Sequence, residues 1–314
     1  MESIIITGAN SGIGYECARH LATLAPDHQL VLACRNVAAG NDTLQKIRQQ
    51  TQHPHLVCLP LDLASSASIR AFTALVAALP EPRVAALVNN AGLQIVGPTR
   101  YTRDGFEETF GVNHLGPLYL TLQLLPFLTT TARITFTASG THDPRQKTGM
   151  PAPQFKDPRL LAYPDDAANQ ALSVGQQRYT TSKLCNVLTA YELQRRLAHT
   201  AIHVNAFDPG LVPGTGLARN YPPVLRFVAS QVFRLMLWFH PNVHTAPTSG
   251  KRLAELAFGT KYADAKGKYI EGEKEIPSSE DSYNRTYQAQ LWKGSLELLG
   301  LRESEVISQG NVHL

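Results

Sequence analysis

The chain has 314 residues, 43% of them hydrophobic and 17% charged, which excludes a disordered chain and allows one α/β domain with additions or two smaller domains. Lys and Arg number 29 against 25 Asp and Glu; the net +4 comes with no dense basic run and argues against nucleic-acid binding. Cys17, Cys34, Cys58 and Cys185 are scattered with no CxxC or Cys/His cluster, so no metal site is expected and four free thiols point to a reducing cytoplasm.

In chain order, Met1-Glu2 runs straight into an apolar strand at 3–7, without a signal-peptide pattern. Residues 12–24 carry Ile13, Cys17, Leu21 and Leu24 at helical spacing. Strands at 30–33, 56–59, 84–88 and 133–137 then alternate with helices at 37–51, 66–78 and about 104–128. Continuous apolar strands alternating with helices predict a parallel, doubly wound sheet covered on both faces. Residues 140–172 hold five prolines and read as an irregular insertion. A helix at 173–198, a strand at 201–207, a helix at 245–258 and a last strand at 268–270 follow. Ser278 and Asp281 stand in capping-box spacing and predict a final helix from about 278 to Gly300.

The first strand runs into Thr7-Gly8-Ala9-Asn10-Ser11-Gly12-Ile13-Gly14. Glycines let a backbone turn tightly against a pyrophosphate, and the following helix points free N–H groups at its charge. The bland alternative is an ordinary tight turn. Tyr179 and Lys183, four apart, share one helix face. An ammonium near a phenol favours the phenolate, so the pair can exchange a proton with an alkoxide. The alternative is a core Tyr beside a solvated Lys.

These motifs together resemble the short-chain dehydrogenases/reductases. TGANSGIG resembles their cofactor loop, and Asn89-Asn90-Ala91-Gly92 closes the fourth strand. Ser139 closes the fifth, Tyr179-Thr180-Thr181-Ser182-Lys183 opens the next helix, and Pro209-Gly210 follows the sixth strand. The resemblance implies a Rossmann-type fold with Tyr179 as general acid/base, Ser139 holding the substrate oxygen, Lys183 tuning Tyr179 and binding ribose, and Asn113 holding a proton-relay water. It implies that Gly8, Asn10, Ser11, Gly12, Ile13 and Gly14 hold the pyrophosphate, that Asn90, Ala91 and Gly92 lie beside the cofactor, and that Pro209, Gly210, Val212 and Thr215 hold the nicotinamide carboxamide. Asp62 and Leu63 resemble the pair that borders the adenine, although Asp62 could simply cap the helix behind it. The second strand ends in Cys34 where an NAD-preferring chain usually carries Asp or Glu. Arg35 follows with Asn36 and could clamp a 2′-phosphate, so NADP(H) is the expected cofactor.

ACRN, GVNHLG, TSKLCN and LLGL resemble the retinol dehydrogenase and light-dependent protochlorophyllide reductase branch, as does the long interval of forty positions from Ser139 to Tyr179. Leu211 stands where the photoenzymes typically carry a proton-delivering Cys, and Pro117 replaces the usual His. The expectation is therefore a carbonyl reductase or alcohol dehydrogenase acting on a fairly large apolar substrate. The alternatives are C=C reduction of a tetrapyrrole or enone, and a non-catalytic NADP sensor. Residues 211–244 read as a substrate lid. Its apolar middle, 224–239, would close over substrate, dock peripherally on a membrane, pack against another subunit, or simply be a helix buried in its own domain; Arg226 and Arg234 interrupt it as a spanning segment.

Overall fold

The computed structural model describes residues 1–214, 242–304 and 306. The strands are β1 (Ser3–Thr7), β2 (Gln29–Cys34), β3 (Leu56–Pro60), β4 (Val84–Asn89), β5 (Leu128–Thr137), β6 (His203–Asp208), β7 (Tyr269–Glu271) and β8 (Lys274–Glu275). They form one sheet in the order β3-β2-β1-β4-β5-β6-β7-β8, parallel except for the β7–β8 pair. Ile4, Ile5 and Ile6 of β1 are wholly buried. Successive strand side chains point to opposite faces. Ile4 and Ile6 therefore pack with Leu30 and Leu32 on one side, and Ile5 packs with Val31 and Leu87 on the other. Each buried Ile contributes about 1.5–3 kcal/mol, which is why these strands read as unbroken apolar runs.

Helices α1 (Gly12–Leu24), α2 (Val37–Thr51) and α7 (Ala246–Phe258) cover the first face, through Leu21, Ile47 and Leu253. On the second face, Phe72 of α3 (Ser66–Ala77), Leu118 of α4 (which ends as Gly116–Leu124) and Val187 of α6 (Leu172–Arg196) share one core. Strand order reverses between β1 and β4, and ligands of open α/β sheets bind at that switch point beyond the strand ends.

The long helix expected at 104–128 is shorter and broken. Here α4 begins at Glu108–Phe110, widens into a π turn at Gly111–Leu115 and resumes as Gly116–Leu124. Glu107 caps it, accepting the N–H groups of Thr109 and Phe110. Pro126 lies in a 3-10 turn that ends the helix, and the β-branched run Thr129-Thr130-Thr131 extends β5 back to Leu128. The expected helix start at Ser278 is also corrected. Ser278 Oγ is taken by Tyr191 and Ser282, a 3-10 turn fills Glu280–Tyr283, and α8 (Arg285–Leu298) begins after Asn284, whose Oδ1 accepts the N–H of Thr286. The 140–172 insertion holds two 3-10 turns and a short helix, α5 (Pro158–Ala162). Most of the expected lid, 215–241, lies outside the described residues.

Helices α1 and α7 cross at Gly250, where a Cβ would stand 2.3 Å from Glu16 Cβ and 2.8 Å from the Cys17 backbone nitrogen. Gly250→Ala gains about 1 kcal/mol of helix propensity but overpacks a backbone contact, at a cost of about 1–3 kcal/mol. Its urea midpoint should fall with an unchanged slope; an unchanged midpoint would show that the two helices yield freely.

Candidate active site

The turn after β1 is shaped for close approach. Gly8 and Gly12 have φ of 66° and 54°, in the left-handed region. A Cβ at Gly14 would lie 2.3 Å from the Gly8 carbonyl oxygen and 2.5 Å from Asn90 Nδ2. Asn90 Nδ2 donates to the Thr7 carbonyl at 3.0 Å, and Thr7 Oγ1 accepts the N–H groups of Asn90 and Ala91, both at 3.0 Å. The ends of β1 and β4 are thus tied edge to edge, with Asn10 and Ser11 on the turn after β1 and Ile13 in the first turn of α1. No side chain caps the N-terminus of α1 and no acidic residue occupies its first turn, whereas α2, α3, α7 and α8 are capped by Asn36, Ser65, Thr245 and Asn284. This N-terminus therefore fits a phosphate.

At the end of β2, Cys34 is buried beside that turn. Burial pushes its thiol up to about 12, so it is not an ionised group at the ribose position. Arg35 is exposed. Asn36 is exposed too, but its Oδ1 is used as the α2 cap, accepting from Ala39 at 3.1 Å. Asp62 does not cap α3, since Ser65 does; its Oδ1 accepts the Ala64 N–H at 3.1 Å and turns the chain beside buried Leu63.

Three elements converge where β5 ends. Lys183 Nζ of α6 donates to the Thr137 carbonyl at 2.9 Å, two residues before Ser139, and lies 5.6 Å from the centre of the Tyr179 ring. Both side chains are buried. Burial lowers the Lys183 ammonium from 10.5 to about 8, opposed by the charge of Asp208. Asn113 sits in the π turn. Its Nδ2 donates to Ser182 Oγ at 3.0 Å and to the Leu93 carbonyl at 2.8 Å, and its Oδ1 accepts the Leu93 N–H at 2.8 Å. A Cβ at Gly92 would be 3.2 Å from Asn113 Oδ1 and 3.6 Å from Lys183 Nζ, so the strand-four motif meets both. Ser139 is half-buried; its Oγ accepts the Thr141 N–H at 3.3 Å, which leaves the hydroxyl proton to donate. Thr7, Thr137 and Ser182 support this arrangement and were not singled out in the sequence, because each acts through ordinary backbone or hydroxyl contacts.

Beyond β6, Pro209 and Val212 are buried and Gly210 turns with a φ of 73°. Leu211 is 39% exposed and pairs with Val243. Thr215 lies outside the described residues. Among the described residues no cluster of His, Cys, Asp and Glu could hold a metal, and no helix is long and apolar enough to cross a membrane.

A parallel sheet with a phosphate-shaped turn at its switch point and a Tyr–Lys pair at its carboxyl edge defines a nicotinamide-dependent oxidoreductase. Residues 2–149 match the family model for short chain dehydrogenase, and residues 218–307 match the AcuH dehydrogenase domain. Human polyprenol dehydrogenase is 34% identical over 95% of this chain and 84% of its own length. Human retinol dehydrogenase 12 is 33% identical over 95% and 86%, and human retinol dehydrogenase 13 is 34% identical over 98% and 87%. Among solved structures, an uncharacterised protein from Mycobacterium paratuberculosis superposes with TM-score 0.70 at 24% identity, covering 96% of this chain and 94% of that one. The angucycline C-6 ketoreductase LanV, solved with bound NADP, superposes with TM-score 0.61 at 20% identity, covering 87% and 94%. The chain belongs to the short-chain dehydrogenase family, in its retinol dehydrogenase branch.

Proposed function

We propose that this protein interconverts a carbonyl and an alcohol with NADP(H), on a large apolar substrate of the isoprenoid kind. The observation that carries this reading is the convergence of Tyr179 and Lys183 on the end of β5, with Lys183 2.9 Å from the Thr137 carbonyl and Asn113 in a π turn beside them. The named substrates of the relatives, retinol and polyprenol, support a bulky apolar ligand.

When bound, the cofactor supplies or accepts a hydride at the carbonyl carbon. Tyr179 gives its hydroxyl proton to the oxygen in reduction and takes it back in oxidation. Ser139 donates a hydrogen bond to that same oxygen. The Lys183 ammonium favours the phenolate that Tyr179 becomes, and would hold the ribose hydroxyls. Asn113, locked by Leu93 and Ser182 within the π turn, would hold the relay water. Gly8, Gly12 and Gly14 admit the pyrophosphate, and Pro209, Gly210 and Val212 would hold the carboxamide. Four free thiols among the described residues support a reducing cytoplasm as the place of action.

Exposed Arg35, directly after Cys34, supports NADP(H) over NAD(H). A lost charge-assisted bond to phosphate costs about 1.5–3 kcal/mol, so Arg35→Ala should raise the KM for NADPH about tenfold or more and leave NADH nearly untouched. A wild-type preference for NADH would overturn the cofactor assignment. The substrate class is tested by NADPH oxidation with all-trans-retinal and farnesal against glyceraldehyde. The isoprenoid aldehydes should be reduced with much the higher kcat/KM, and equal rates with glyceraldehyde would contradict it.

A further inference from the structure

Asp208, the last residue of β6, is 1% exposed, and two donors meet on its carboxylate. Gly210 N–H, in the turn that follows, donates to Oδ1 at 2.9 Å. Tyr269 Oη of β7 donates to Oδ2 at 3.0 Å. The Ser139–Gly140 turn packs against the same carboxylate, where a Cβ at Gly140 would stand 3.1 Å from Oδ2. The charged and titratable groups around it are Lys183 from α6, Glu271 and Tyr269 from β7, and His142, whose ring packs on Tyr269 at 4.8 Å between centres. Glu271 accepts a hydrogen bond from Gln146 Nε2 at 2.9 Å, and His142 Nδ1 lies 2.7 Å from the Ser139 carbonyl. His244 and Asn242 flank Gly210 on its other side.

A carboxylate is a costly choice for a buried hinge between turns, because an unpaired charge there would be expelled or neutralised. Charge-assisted hydrogen bonds are roughly twice as strong as neutral ones, so the ionised form holds both turns more firmly than an amide would. One of those turns carries Ser139 and the other begins the Pro209–Gly210–Leu211–Val212 segment.

We propose that Asp208 is a positioning residue: as a carboxylate it locks the Ser139–Gly140 turn and the Pro209–Gly210 turn together beside Lys183, and when protonated it releases them. The idea rests on the catalytic reading of Ser139, Tyr179 and Lys183 given above. Burial, helped by the charge of Glu271, raises the Asp208 carboxyl to about 6 against the pull of Gly210 and Tyr269, so the lock opens as pH falls through about 6. Reduction consumes a proton at Tyr179, so that residue should impose no loss of rate on the acid side, and a loss there reports another group.

The test follows NADPH-dependent reduction of all-trans-retinal from pH 5 to pH 8, with NADPH affinity read in parallel from its fluorescence. Wild-type kcat should fall below about pH 6. Asp208→Asn should lower the plateau about tenfold and remove that acid limb. A purely structural role would lower the rate at every pH and leave the limb in place. Tyr269→Phe deletes one donor to the carboxylate and should move the limb upward by about one pH unit. His142→Gln should retain the limb, and its disappearance in that variant would transfer the role to His142 and overturn the proposal. So would a limb that survives in Asp208→Asn. The 2′-phosphate of NADPH titrates alike in both proteins, so the ratio of wild-type to Asp208→Asn affinity isolates the carboxyl. That ratio should fall as the pH drops through about 6, and a constant ratio overturns the proposal even if retinal is not reduced. Failure of the catalytic reading would show differently, as an absence of wild-type turnover while the affinity ratio still responds.

Discussion

Tyr179→Phe should lower kcat by roughly 10²–10⁴-fold, the usual effect of losing one positioned proton donor. The substitution removes a single oxygen from a buried ring on α6, and Ser182 Oγ donates to the Tyr179 backbone carbonyl, at 2.7 Å, a bond the substitution leaves in place. Fold and NADPH affinity should therefore survive, and the loss should sit in kcat rather than in KM for the cofactor. Fluorescence titration with NADPH beside single-turnover kinetics separates the two. Near-full turnover in this variant would remove Tyr179 from the chemistry.

Lys183→Met should be damaging in both respects. It keeps much of the buried volume but loses the ammonium that faces Tyr179 and would hold ribose, so NADPH affinity should fall about tenfold or more and kcat by at least about a hundredfold. The same residue makes a stability signature. The folded protein releases the Lys183 proton near pH 8, whereas the unfolded chain keeps it to 10.5. Between those values the unfolded state binds more protons, so stability rises with pH across that window, by on the order of 3 kcal/mol. Denaturant melts from pH 7 to 11 should show that rise in the wild type and not in Lys183→Met. Parallel curves for the two proteins would place the ammonium in a less costly setting than its burial implies.

Much of this molecule is readable from its residues because burial on both faces leaves an unmistakable pattern. Ile4-Ile5-Ile6 and Leu30-Val31-Leu32 have no solvent side, so their strands, and the helices between them, stand out in the amino-acid order. The Gly-rich turn and the Tyr179–Lys183 pair are equally plain, since helix geometry alone puts positions four apart on one face. What escaped reading is tertiary in origin. The π turn at Gly111–Leu115 lets Asn113 reach Leu93 and Ser182, and no local propensity in GVNHL signals it. Ser278 and Asp281 have capping-box spacing, but Tyr191 and Ser282 claim the Ser278 hydroxyl and Asn284 caps the helix instead. Asp208 stood directly before Pro209-Gly210, yet the role proposed for it depends on Gly140, in the turn after β5, and Tyr269 of β7 arriving from distant parts of the sequence.

The most direct measurement of the central claim uses NADPH deuterated at C4 of the nicotinamide with all-trans-retinal, and follows the label by NMR in the recovered product. Carbonyl reduction requires the deuterium on the carbinol carbon of an alcohol, with every C=C bond of the chain intact. Deuterium on a newly saturated carbon beside a surviving carbonyl would instead identify a C=C reductase. NADPH that binds, but transfers no label to retinal or to any other aldehyde, ketone or enone tried, would identify a cofactor-sensing protein and contradict the account.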